Sequence, residues 1–127
     1  MVGRSLQEDL QTDLEAQTWT NLGVQPNVKI GGRRGKTTGN WGVVVHEDDD
    51  DPTEYTTFAH SIVARDQDGT IEIWNRNNTD RQKMIDDIET ILHSSSTTYN
   101  WLVTGVERQT LKNNLYQADI KIKRLLS

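Results

Sequence analysis

The chain has 127 residues, 33% of them apolar, no cysteine, and 19 acidic against 14 basic side chains for a formal net charge of −5. That length suits one domain spanning 1–127. The missing cysteines exclude disulfides, thiolate metal sites and cysteine nucleophiles, and the acidic balance disfavours general coating of nucleic acid, which needs at least a local basic excess.

Counting in the nine glycines, the apolar share reaches about 40%, below the roughly 45–50% of an ordinary globular domain. A core that thin leaves a modest margin, so burying more surface in an oligomer would help the chain. No apolar run approaches the roughly 18 residues of a membrane helix, and Met1-Val2-Gly3-Arg4-Ser5 lacks the apolar stretch of a signal peptide. The expectation is a soluble protein with no membrane partner.

In chain order, Ser5-Leu6-Gln7-Glu8 fits a capping box. Leu6, Leu10 and Leu14 then give one narrow apolar stripe down a helix of about 5–18. Asn21-Leu22-Gly23 ends it, and Val28-Lys29-Ile30 is extended up to Gly31-Gly32. Trp41 to His46 is a continuous, β-branched run that predicts a well-buried strand. Glu47 to Pro52 reads as a solvated turn, and Tyr55 to Ala64 as a strand. Asp68-Gly69 is the strongest hairpin signal, because glycine tolerates the positive φ of a two-residue turn. It predicts a return through Thr70 to Trp74, with Ile71 and Ile73 on one face and Trp74 opposite them, facing outwards.

A second helix, about 80–93, comes next, with Thr79 as N-cap, Asp80 near the positive end of the dipole, and Met84, Ile85, Ile88, Ile91 and Leu92 as its stripe. Asn77-Asn78-Thr79 is read as part of that helix start and not as a glycan acceptor. After Ser94-Ser95-Ser96, Tyr99 to Gln109 predicts a strand. Tyr116 to Leu125 predicts another, with Ala118, Ile120 and Ile122 facing away from Asp119, Lys121 and Lys123. The fold class is α+β: an antiparallel or mixed sheet of hairpins with two helices, in the order α-β-β-β-β-α-β-β.

Gly31-Gly32-Arg33-Arg34-Gly35-Lys36-Thr37 nearly matches a phosphate loop. The first glycine position is Ile30, however, and Thr38-Gly39-Asn40 leads on into a strand and not a helix, so nucleotide hydrolysis is not expected. Arg33, Arg34 and Lys36 remain a basic glycine loop that reads either as a plain hairpin loop or as an electrostatic contact with an acidic partner or a nucleic-acid backbone. Asp48, Asp49, Asp50 and Asp51 could hold a hard cation, but consecutive acids cannot place alternate ligands around a turn, so they read as a solvated hairpin tip.

His46, His60 and His93 lie on separate elements without a zinc-ligand spacing, and no serine sits in a nucleophile elbow. No metal, cofactor or catalytic activity is expected. Four tryptophans against one phenylalanine are unusual, and Trp74, expected to face outwards, is the candidate interface anchor. Twelve Asp, fifteen Thr and only six Lys form a bias associated with proteins working in high salt, although one acidic loop supplies much of the Asp.

From Val43 to Leu126 the order of elements resembles the tail-completion, or tail-terminator, proteins of tailed viruses. The likeness is carried by an acidic hairpin, the helix Arg81-Gln82-Lys83-Met84-Ile85-Asp86-Asp87-Ile88 leading to Ile91-Leu92, and the late strand Ala118-Asp119-Ile120-Lys121-Ile122. It covers about two-thirds of the chain and rests on pattern, without a diagnostic invariant motif. The resemblance implies a structural protein of the virion, located in its tail or neck and assembled in the host cytoplasm, with the salt bias pointing to a halophilic archaeal host. It implies a ring, usually of six copies, that terminates the tail tube and joins it to the head connector. Its partners would be other copies of itself, the tail-tube protein and the connector or adaptor protein, close to DNA passing through the channel. The loops carrying Arg33, Arg34, Lys36 and Asp48 to Asp51 would face those neighbours. Another neck component, or an unrelated small protein-binding module, are the alternatives.

Overall fold

A computed structural model of the chain describes residues 6–31, 41–47, 67–94, 97 and 100–125. Helix α1 (Leu6–Ala16) is followed by strands β1 (Val28–Ile30), β2 (Trp41–Glu47) and β3 (Gln67–Asn75), helix α2 (Asn78–Leu92), and strands β4 (Asn100–Leu111) and β5 (Leu115–Leu125), the last two joined by a 3₁₀ turn at Lys112–Asn114. The strands form one mixed sheet in the order β1-β2-β3-β5-β4. β1 runs parallel to β2, and every other neighbouring pair is antiparallel. The expected α+β class is therefore observed. The expected strand at Tyr55 to Ala64 and the capping box that needs Ser5 lie outside the described residues.

Both helices cover the same face of the sheet. Leu6, Leu10 and Leu14 of α1 and Met84, Ile85, Ile88 and Leu92 of α2 join Val43, Val45, Ile71, Ile73, Ala118, Ile120 and Ile122 in a single core. Strand period and helix period thus agree on which side is buried, and that agreement drives the collapse. The strand alternation at Ala118, Ile120 and Ile122 reads correctly.

Asp68-Gly69, the expected hairpin turn, lies inside β3, where Asp68 pairs with Lys123 and Gly69 with both Glu47 and Ile122. Glycine is needed there for closeness and not for a turn: a Cβ on Gly69 would stand 2.7 Å from Leu6 Cδ2 and 3.1 Å from Ile122 Cδ1. The glycine lets α1 settle directly onto the sheet.

Helix α2 starts earlier than expected. Its N-cap is Asn77, whose side chain accepts from the Asp80 amide at 3.1 Å, and Thr79 lies within the helix. The free amides of the first turn need a short acceptor in extended backbone, a requirement Asn77 meets. The β4–β5 hairpin closes through Asn114 at φ 55, the left-handed region that asparagine tolerates better than most residues.

Polar side chains on α1 perform two distinct tasks. Asp9 is ion-paired with Arg124 at the end of β5, and Asp13 accepts from Trp101 Nε1 at 2.7 Å. The Arg124 guanidinium also lies 5.8 Å from the Trp101 ring and donates to Gln67. On another face, Gln11 Nε2 donates to the Val28 carbonyl at 2.7 Å, Glu15 accepts from the Val28 amide at 2.9 Å, and Gln7 reaches the Gly31 carbonyl at 3.4 Å. The four-residue spacing of Gln7, Gln11 and Glu15 lines them up along β1, so α1 closes that edge of the sheet.

Candidate functional site

Beside β2 and β3 lies a cleft of about 280 Å³ lined by Asn27, Lys29, Trp41, Gly42, Val43 and Trp74; along the strands Gly42 and Trp74 share the face away from the helices, while Val43 belongs to the core and Trp41 packs against it. Register explains its shape. Gly42 pairs directly with Trp74, so the two residues share a face, and a Cβ on Gly42 would lie only 2.4 Å from Trp74 Cζ2. The indole therefore rests across backbone that no side chain occupies.

Trp74 does lie opposite Ile71 and Ile73, as the alternation requires, but it is only 3% exposed. The outward-projecting anchor is corrected to a buried cleft wall, because Gly42 provides a seat for the ring. Trp74 Nε1 is buried without a hydrogen-bond partner among the described residues, a cost of the order of 1–3 kcal/mol. Trp41 is half-buried on the opposite side and Lys29 is exposed. The cleft thus joins the Trp74 indole to the Lys29 cation, with Trp41, which also packs against the core, as a further lining residue, a chemistry suited to an inserted apolar or acidic side chain.

Farther along the same face, His46 Nε2 and Glu72 Oε1 are 2.8 Å apart, and the two residues are 6% and 7% exposed. Lys121 Nζ donates to Thr70 Oγ1 at 3.2 Å and Gln117 Nε2 to Asp119 Oδ1 at 3.1 Å. The His46–Glu72 contact ties β2 to β3 and the Lys121–Thr70 contact ties β3 to β5 on this side of the sheet, while Gln117–Asp119 lies within β5.

A separate basic cluster sits near the start of α2. Arg81 donates to the Gln117 carbonyl at 3.3 Å and to Asn78 Oδ1 at 2.8 Å, with Tyr116 5.6 Å from its guanidinium. Burial lowers the Arg81 pKa from its ordinary value, the nearby Arg108 lowers it further, and Tyr116 acts in the opposite sense. Arg108 is itself held by Gln82 Oε1, at 3.2 Å from Nε and 3.1 Å from Nη2.

Of the residues singled out in the sequence, Arg33, Arg34, Lys36, Asp48, Asp49, Asp50 and Asp51 lie outside the described residues. Only Trp74 is placed in the cleft. Asn27, Lys29, Trp41 and Gly42 were not anticipated as a site, since their convergence depends on the parallel β1–β2 pairing and on the Gly42–Trp74 register. The chain matches no protein-family model and no curated protein.

Proposed function

We propose that this chain is a structural subunit of a tailed-virus particle, closing a ring of about six copies at the head–tail junction that ends the tail tube and joins it to the head connector. The observation that supports an assembly role is the Trp41–Trp74 cleft. At about 280 Å³ it falls just below the roughly 300–1,000 Å³ of small-molecule sites, and one inserted side chain would fill much of it. A receptor cleft on one surface, met by a different patch on the next copy, is the heterologous contact from which rings close. Under this reading Arg33, Arg34, Lys36 and Asp48 to Asp51 contact the tube or the connector, and Trp74 anchors the interface as its wall and not as its projection.

Sedimentation and electron imaging over a range of protein and salt concentration test the proposal. Closed rings are the expected result, with Trp41→Ala weakening ring closure by about 2 kcal/mol, as interface hot spots do, while urea unfolding of the monomer measures separately the packing that Trp41 also makes against the core. A chain that remains monomeric at every concentration, in molar salt as in dilute buffer, overturns ring closure. Rings indifferent to Trp41→Ala would remove the cleft from the interface.

A further inference from the structure

We propose that β4 is a second assembly surface, on which two copies of this chain pair edge to edge, antiparallel, about a two-fold axis. The two sheet edges are unequal. Along β1, Gln11 and Glu15 of α1 occupy the outward amide and carbonyl of Val28, and Gln7 reaches Gly31. Along β4, pairing to β5 uses one side only, and from Leu102 to Leu111 no backbone group is engaged on the other side by any described residue. From Val106 to Leu111 every second residue presents an amide and a carbonyl outwards over about 20 Å, the template a further strand recognises.

Three features favour a second copy as that strand. The sequence of β4, NWLVTGVERQTL, carries one acid and one base, so two such edges meet without net repulsion although each chain carries −5. Arg108, whose long side chain could shield the edge, is tied to Gln82 on α2. The register shift between Val103 and Gly105 breaks regular pairing at one end of both strands, which confines the two-fold to Val106–Leu111 and pins its register. Because α1 takes up the Val28 amide and carbonyl and β1 is only three residues long, a β4-to-β1 chain of subunits is disfavoured, and among the described edges β4 pairs with β4.

A two-fold pair cannot repeat around a ring whose copies all face one way. The contact therefore belongs to the free protein or joins one ring to another, and it does not rest on ring closure.

The absence of cysteine makes the test direct on the full chain. Under mild oxidation Gln109→Cys is expected to crosslink readily to a second copy, whereas Glu8→Cys, on the exposed face of α1, is not. Adjacent strand residues point their amides to opposite sides, so of Gln109→Pro and Thr110→Pro one leaves the β4–β5 ladder whole. The variant that keeps its fold by circular dichroism should raise the dimer dissociation constant at least about tenfold, a loss above the 1.4 kcal/mol decade. Equal crosslinking of Gln109→Cys and Glu8→Cys overturns the proposal, as does a dimer untouched by the folded proline variant, or no dimer at any concentration. Trp41→Ala, which tests the ring, should leave the β4 crosslink unchanged, so the two readings fail separately.

Discussion

Two glycines show how a missing side chain positions a large one. Gly42 seats the Trp74 indole and Gly69 admits Leu6 between β2 and β5. Gly42→Ala is expected to destabilise the fold by about 1–3 kcal/mol, the usual cost of overpacking, because the rigid ring at 2.4 Å has to move as a body; urea denaturation measures it. Gly69→Ala should cost a similar amount. Its origin can be isolated with Leu6→Ala: if the clash with Leu6 is the cause, the double variant loses less than the sum of the singles. Strict additivity would place the strain elsewhere. Neither glycine role was legible in the sequence. Asp68-Gly69 has the composition of a turn, and only the pairing of β3 on both sides shows that the backbone there is extended.

At the level of elements, α1 is fixed by a buried ion pair as well as by its leucines. Arg124→Met would take from the buried Asp9 the cation that β5 supplies, and about 3–5 kcal/mol of stability should be lost. Asp9→Leu added to Arg124→Met should recover most of that, since two apolar groups replace a desolvated pair; thermal or urea unfolding of the three variants reads the cycle. Asp87 does comparable work for α2, accepting from the Asn21 and Leu22 amides at 3.0 and 2.8 Å and so anchoring the loop that leaves α1. Asp87→Ala is expected to cost about 1–3 kcal/mol through two amides left unsatisfied.

The helix stripes, the β2 run and the β5 alternation were legible because each follows a period that one residue type repeats. The anchoring carboxylates were not. Asp9, Asp13 and Asp87 look like solvated helix charges until the partners that bury them, far away in sequence, are brought alongside. The same holds for Asn77, since either of two neighbouring polar residues satisfies the capping pattern and only the backbone geometry selects between them.

At the scale of the molecule, the described residues lay two helices on a five-stranded sheet, whose other face carries the His46–Glu72 and Lys121–Thr70 contacts and the Trp74 wall of the cleft. That division leaves the cleft and the β4 edge as separate surfaces, and assembly measurements can address them independently. Lys29→Glu offers a whole-molecule prediction: reversing the cation at the cleft should weaken an acidic or mixed insertion and shift the salt dependence of ring formation, while unfolding in urea stays near that of the parent, Lys29 being exposed. A ring population unmoved by that reversal at low salt would mean that charge contributes nothing to the contact.

The stripe of Gln7, Gln11 and Glu15 carries a consequence for how far such a sheet can grow. A sheet open on both sides can add subunits without limit, each new edge templating the next. By laying a helix along β1, the chain converts a potential fibre unit into one with a single sticky side, and growth by strand addition terminates at two copies. α1 is thus a stop signal as well as a cover for the core, and anything that lifted it would open the β1 edge together with the apolar face of the sheet.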